Sequence, residues 1–296
     1  MKIVGAVESY LSACHAENHS PRTERSYKDV LNDFVSGVGN INIEDLTPET
    51  INAYMGGLSA RPGKRGQFSS HSMAKYYAVI RSFVRWLYDR RFIRERITDF
   101  TSAPRVSGDL PKALTDEEVK RLLDHVSGDF RDLVIMELFL DTGLRLNEVC
   151  ALDLKDVHVQ GAWCRVYGKG RKEAIVPLGR KLCRDLSIYI HAHRKPTYQD
   201  EPALFINRFG HRLEREGLAI LVRRALANIG IEGKHGAHTL RHTFATNFLR
   251  NGGSLEALRR ILRHNDIKVT QRYIHLVMDD VIGQHHQASP LDHMRK

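Results

Sequence analysis

Between His238 and Leu276 the chain reads HTLRHTFATNFLRNGGSLEALRRILRHNDIKVTQRYIHL, a stretch that holds His238, Arg241, His242, Arg263, His264 and Tyr273. His238 and Arg241 are three apart, so on a helix they share a face. Cations for non-bridging oxygens, an imidazole to carry a proton and a phenolic hydroxyl as nucleophile together suit chemistry at a phosphodiester. Taken singly, each of these residue types more often sits on a solvated surface. The chemical reading rests on the constellation.

The pattern around these residues says how they are positioned. Ala245, Phe248 and Leu249 continue an apolar stripe on the helix that carries His238 and Arg241, and Gly252 and Gly253 break it. Ser254 is placed to N-cap a second helix through Leu255, Leu258, Ile261 and Leu262, with His264 at its C-terminal end. Upstream, Thr115 and Glu118 form a capping box for a helix bearing Val119, Leu122, Leu123 and Val126. The next run, DFRDLVIMELFLDTG, is apolar almost all round and stops at Gly143, as expected of a buried helix with a glycine C-cap. Arg145 lies just beyond that stop. From Val157 to Gly179 the period changes to β-branched and aromatic residues between glycine turns, which predicts two or three antiparallel strands with Lys169 in the second turn. Helices follow around Leu182 to Ile190 and Leu218 to Leu226, with the short apolar piece ALFIN between them.

The first hundred residues read as four helices. Val4, Val7, Tyr10, Leu11 and Cys14 have helical spacing, while Ser20-Pro21 and Thr47-Pro48 are N-cap and first-turn signals. A flexible segment, Arg61 to Ser70, precedes a fourth helix with Met73, Tyr77, Ile80, Val84 and Leu87 on one side. Arg61, Lys64, Arg65, Lys75, Arg81, Arg85, Arg90, Arg91 and Arg94 stand against a single acid, Asp89. Solvated helix faces usually mix signs, so this run favours phosphate contact. Thr101 to Lys112, with two prolines and a glycine, reads as a linker. The expected organisation is a helical domain over 1–100, a linker over 101–112 and a second domain over 113–296, in a mainly α (α+β) fold with a small antiparallel sheet.

The 296 residues carry a formal net charge of +10, which favours a polyanionic partner. The N-terminal stretch has no long apolar run, which argues against a signal peptide or membrane span and for a cytoplasmic protein. Four cysteines, Cys14, Cys150, Cys164 and Cys183, lack CxxC spacing and read as buried thiols. The pairs His191/His193 and His285/His286 lack the acidic or cysteine company of a metal site.

Four segments in order, TGLRLNEV (142–149), YGKGRKEAIVPL (167–178), HTLRHTFAT (238–246) and RHNDIKVTQRYIH (263–275), resemble the tyrosine recombinase, or lambda integrase, family. The basic helical first domain resembles that family's core-binding domain, so the likeness spans nearly the whole chain. The resemblance implies a catalytic set of Arg145, Lys169, His238, Arg241, His264 and the nucleophile Tyr273. It implies strand cleavage to a 3'-phosphotyrosyl enzyme and a free 5'-hydroxyl, with no metal or ATP, and no cofactor is expected. His242 matches the motif and is expected to support the site through hydrogen bonds. DNA contacts are expected from Arg61, Lys64, Arg65, Lys75, Arg81, Arg85 and Arg263.

Two positions depart from the family pattern: Asn147 stands where serine is frequent, and Arg263 where glycine often precedes the late histidine. Family members act on double-stranded DNA with inverted-repeat sites, as tetramers, some with a partner recombinase. The 23 residues after Tyr273 hold an apolar group, Leu276, Val277, Val281 and Ile282, that either docks on a neighbouring protomer or folds back. The lack of residues ahead of the first domain argues against an arm-binding domain. The leading expectation is a mobile-element recombinase or integrase, the alternative a Xer-type dimer resolvase. A type IB topoisomerase and a non-catalytic DNA-binding regulator are the remaining readings.

Overall fold

The computed structural model describes residues 1–63, 66–104, 113–168, 173–231 and 236–263. The chain divides into two compact units, Met1–Asp109 and Leu110–Lys296.

In the first unit, four helices are set by local signals that the sequence states openly: α1 (Ile3–Ala16), α2 (Pro21–Val38), α3 (Pro48–Ala60) and α4 (Ser70–Asp89). The Ser20 hydroxyl accepts the Thr23 N–H at 3.2 Å, Thr47 does the same for Thr50 at 3.3 Å, and Ser69 for Ser72 at 3.2 Å. Each removes one orphan donor from a helix start. The helices bury one stripe each, among them Tyr10, Leu31, Phe34, Leu58, Phe83 and Leu87. Val4, read as part of the α1 core face, is exposed; the buried line runs instead through Ile3, Ala6, Val7, Tyr10 and Cys14. The segment expected to be flexible contains a short antiparallel hairpin, β1 (Pro62–Gly63) with β2 (Gly66–Gln67), and α4 begins at Ser70.

The second unit is built around α6 (Phe130–Thr142), whose Val134, Ile135, Met136, Leu138 and Phe139 are all buried. Ahead of it lies α5 (Asp116–Val126), opened by the Thr115–Glu118 capping box. After it comes the six-residue α7 (Leu146–Ala151), then an antiparallel sheet of β3 (Val157–His158), β4 (Trp163–Tyr167) and β5 (Glu173–Pro177) in the order β3-β4-β5. Cys164 faces Val176 in the ladder, and Cys164, Val166 and Val176 are buried, so one face of this small sheet closes the core. Helices α8 (Arg180–Ile188), α9 (Arg215–Asn228), α10 (Ala237–Arg250) and α11 (Leu255–Leu262) complete the described part. The ALFIN piece is buried through Ile206 and is pinned by backbone bonds, Leu154 N–H to Pro202 and Leu204 N–H to Leu152. The fold is thus mainly helical with one small antiparallel sheet in this unit. Among the described residues no helix is long and apolar enough to cross a membrane.

Candidate active site

Arg241 sits on α10 with 4% of its surface exposed. An arginine so buried needs partners, and it finds them at two helix ends. Its Nη1 donates to the carbonyl of Gly143 at 2.6 Å and its Nη2 to the carbonyl of Leu262 at 2.8 Å. Gly143 caps α6 and Leu262 ends α11, where carbonyls lack intrahelical donors and the helix dipole is negative. The cation therefore ties two helix C-termini together. Gly143 adopts φ +61°, and a Cβ there would collide with Phe244 and lie 2.8 Å from Leu262 Cδ2, so glycine is required both for conformation and for approach. Thr243, two residues on along α10, accepts the Leu114 N–H at 2.9 Å and anchors the helix to the start of the unit.

Arg145 lies two residues beyond Gly143, as the N-cap of α7. Its backbone N–H donates to Glu148 Oε2 at 2.7 Å and its Nη1 to Glu148 Oε1 at 3.0 Å, while its side chain stays 41% exposed. Glu148 is buried, and its Oε2 also accepts from Nη2 of Arg263 at 2.5 Å. One carboxylate thus serves two guanidiniums.

Arg263 is the C-cap of α11 and holds φ +54°, ψ +46°, the left-handed conformation that glycine adopts without cost. Its side chain is 15% exposed and turned inward onto Glu148. Burial, against the attraction of Glu148, pushes its pKa below the usual arginine value. Asn147, the other departure from the family pattern, accepts from Arg215 Nε at 2.8 Å and so links α7 to the start of α9.

His238, on the first turn of α10, is exposed as a residue. Partial desolvation, then the positive charges of Arg241 and Arg145, push its pKa below the ordinary imidazole value. Its neutral form is favoured, as a proton acceptor requires. Arg145, His238 and Arg241 are therefore gathered where α6 ends and α7 and α10 begin.

Lys169, which falls between β4 and β5 in the sequence, lies outside the described residues, as do His264 and Tyr273. His242 is half-buried on α10. Of the expected DNA-binding residues, Lys75, Arg81 and Arg85 are exposed on α4, with Arg85 3.6 Å from Asp89. Arg61 is paired with Asp33 at 2.9 Å and stands over the Tyr54 ring. Lys64 and Arg65 lie outside the described residues. Among the described residues no group of three or more His, Cys, Asp or Glu side chains is arranged to hold a metal ion.

The residue missed by sequence reasoning is Glu148. Its signal was an acid at the third position of a helix capped by an arginine, the spacing at which a carboxylate returns to the N-cap N–H.

Residues 112–279 match the phage integrase family and residues 7–94 the phage integrase N-terminal SAM-like domain. The tyrosine recombinase XerC of Thermodesulfovibrio yellowstonii is 32% identical over 281 residues, covering 92% of this chain and 91% of that protein. The tyrosine recombinase XerD of Staphylococcus epidermidis is 33% identical, covering 91% and 90%. In fold, the chain is similar to the Tn1549 transposon integrase solved with a circular intermediate DNA, at a TM-score of 0.78 and 16% identity over 97% of this chain and 99% of that one. Matched along nearly its whole length, the chain belongs to the phage integrase family of tyrosine site-specific recombinases.

Proposed function

We propose that this recombinase cuts and rejoins DNA with Tyr273 as nucleophile and Arg145, Lys169, His238, Arg241 and His264 as the groups that make the exchange possible. The observation that carries the reading is the gathering of Arg145, Arg241 and His238, with Arg241 held rigidly between Gly143 and Leu262. A phenol is mostly protonated at neutral pH, with an unperturbed pKa of about 10. His238 accepts its proton as Tyr273 Oη attacks the scissile phosphorus. Arg145 and Arg241 offer planar forks to the oxygens on which charge builds, and a preorganised clamp of this kind stabilises the transition state more than the ground state. His264 hydrogen-bonds the phosphate, and Lys169 protonates the departing 5'-oxygen as its bond to phosphorus breaks. The phosphotyrosyl ester keeps the bond energy, so a 5'-hydroxyl from another strand reverses the step without external input.

In this reading residues 1–100 form the core-binding domain, 101–112 the linker and 113–296 the catalytic domain. Four protomers assemble on double-stranded DNA with inverted-repeat sites, in the cytoplasm, with or without a partner recombinase. His242 supports the site, and Arg61, Lys64, Arg65, Lys75, Arg81 and Arg85 follow the DNA backbone.

Two biological roles fit this chemistry, integration or excision of a mobile element and Xer-type dimer resolution. Identity of 32–33% to XerC and XerD over about nine-tenths of the chain favours the Xer-type role. The deciding experiment uses a nicked suicide duplex built on the sequence the full chain selects from a random pool. A covalent 3' adduct is expected from the wild type and none from Tyr273→Phe; an adduct from the phenylalanine variant would remove Tyr273 from its role. Supercoil relaxation without exchange between two sites would favour a topoisomerase instead.

A further inference from the structure

Arg263 stands where the family pattern often has glycine, and it retains the backbone conformation of glycine, φ +54°. A long side chain in left-handed backbone is strained, so something must hold it there. What holds it is Glu148, 115 residues earlier in the chain, reached at 2.5 Å through a single nitrogen. The same carboxylate holds Arg145 through the other oxygen at 3.0 Å. The two remaining donors of Arg263, Nε and Nη1, are shut away from water and have no partner among the described residues. A surface-seeking arginine would place those donors in solvent. This one is committed to the carboxylate beneath the site.

Glu148 has two oxygens and two cationic neighbours, and this sharing decides how strongly Arg145 is held. With only Arg145 as a partner, Oε2 would keep just the Arg145 backbone N–H, and a buried carboxylate with one cation instead of two draws that guanidinium toward a closer, two-point pair. Arg263 is a second donor to Oε2, beside the Arg145 backbone N–H at 2.7 Å, so the Arg145 guanidinium is joined through Oε1 alone and its side chain stays 41% exposed.

We propose that Arg263 is a positioning residue: by occupying one oxygen of Glu148 it sets the orientation in which Arg145 meets the scissile phosphate. The proposal rests on the reading of Arg145 as a phosphate-binding group of the cleavage site. It differs from a DNA-contact role, since Arg263 acts through Glu148 and Arg145 and not on DNA itself.

The test is single-turnover cleavage of the nicked suicide duplex at saturating protein, with DNA affinity and thermal melting measured on the same full-length samples. Arg263→Gly restores the residue that fits the left-handed turn, so a purely structural role predicts equal or higher melting temperature and unchanged cleavage. We expect it to melt no lower than wild type, to bind DNA with unchanged affinity and salt slope, and to cleave about tenfold more slowly or worse. Arg263→Lys still reaches Glu148 with one donor and is expected to recover most of the rate. Wild-type cleavage by Arg263→Gly overturns the proposal. A reduced salt slope for Arg263→Gly also overturns it, in favour of direct phosphate binding. Failure of the wild type to form an adduct overturns the cleavage reading itself, which keeps the two outcomes separate.

Discussion

Arg241 donates to the carbonyl of Gly143 at 2.6 Å, so this buried cation of the candidate site is fixed to the C-cap of α6. Its second tie, to Leu262, fixes it to α11 as well. Lysine has no planar fork and cannot serve both carbonyls. Arg241→Lys is expected to lower single-turnover cleavage by ~10²–10³-fold, the scale of removing a preorganised donor. It is also expected to destabilise the second unit by about 1–3 kcal/mol, since one buried carbonyl is left unpaired. Cleavage within threefold of wild type would show that the clamp does not depend on this geometry.

Gly143→Ala places a Cβ against Phe244 and Leu262 at a positive φ. The left-handed backbone costs an alanine about 1–2 kcal/mol, and crowding at a packed surface adds about 1–3 kcal/mol. Urea unfolding should therefore show a decrease of about 2–5 kcal/mol in the transition of the second unit. A decrease under half a kcal/mol would mean that the α6–α10 approach is looser than described.

His238 should titrate below the ordinary imidazole value of about 6.5, since desolvation and then Arg241 and Arg145 favour its neutral form. The sign of the linkage follows. The folded protein holds this proton less tightly than the unfolded chain, so the residue makes stability rise with pH between the folded pKa and about 6.5, and adds no slope above that. NMR titration of the full chain, with His238→Gln to assign the resonance, reads the midpoint directly. A midpoint above 6.5 would contradict the cationic surroundings assigned to it.

Arg81 and Arg85 are four apart and exposed on α4. Removing one phosphate-binding cation should reduce the slope of log K against log salt by about 0.9. Arg81→Ala and Arg85→Ala are each expected to weaken binding at low salt and to flatten that dependence. The partial pairing of Arg85 with Asp89 at 3.6 Å is exposed to solvent and should not hold it back from DNA. An unchanged slope in both variants would take α4 off the DNA backbone.

What could be read from the sequence was whatever local chemistry decides. Ser20-Pro21, Thr47-Pro48, the Thr115–Glu118 box and the Gly143 stop set helix ends from within a few residues, and the structure has them. Arg145, His238 and Arg241 could be picked by type and order. Their fastening could not. Glu148 is tied to Arg263 across 115 residues, which its local capping relation to Arg145 does not announce, and Arg241 is held by two backbone carbonyls, which leave no mark on residue identity. Val4 shows a smaller limit: helical spacing alone admits two neighbouring stripes on α1, and only packing against α2 and α4 selects Ile3 over Val4 for the core.

The ties Arg241–Gly143 and Arg263–Glu148 span 98 and 115 residues. Loops of that length add little to the entropy of closure but slow the search for the partner, so they weigh on folding time more than on final stability. Arg145 leaves the ribosome long before the residues that brace it. A chain that ends before α10 therefore holds Arg145 with neither Arg241 nor Arg263 yet made to stand beside it.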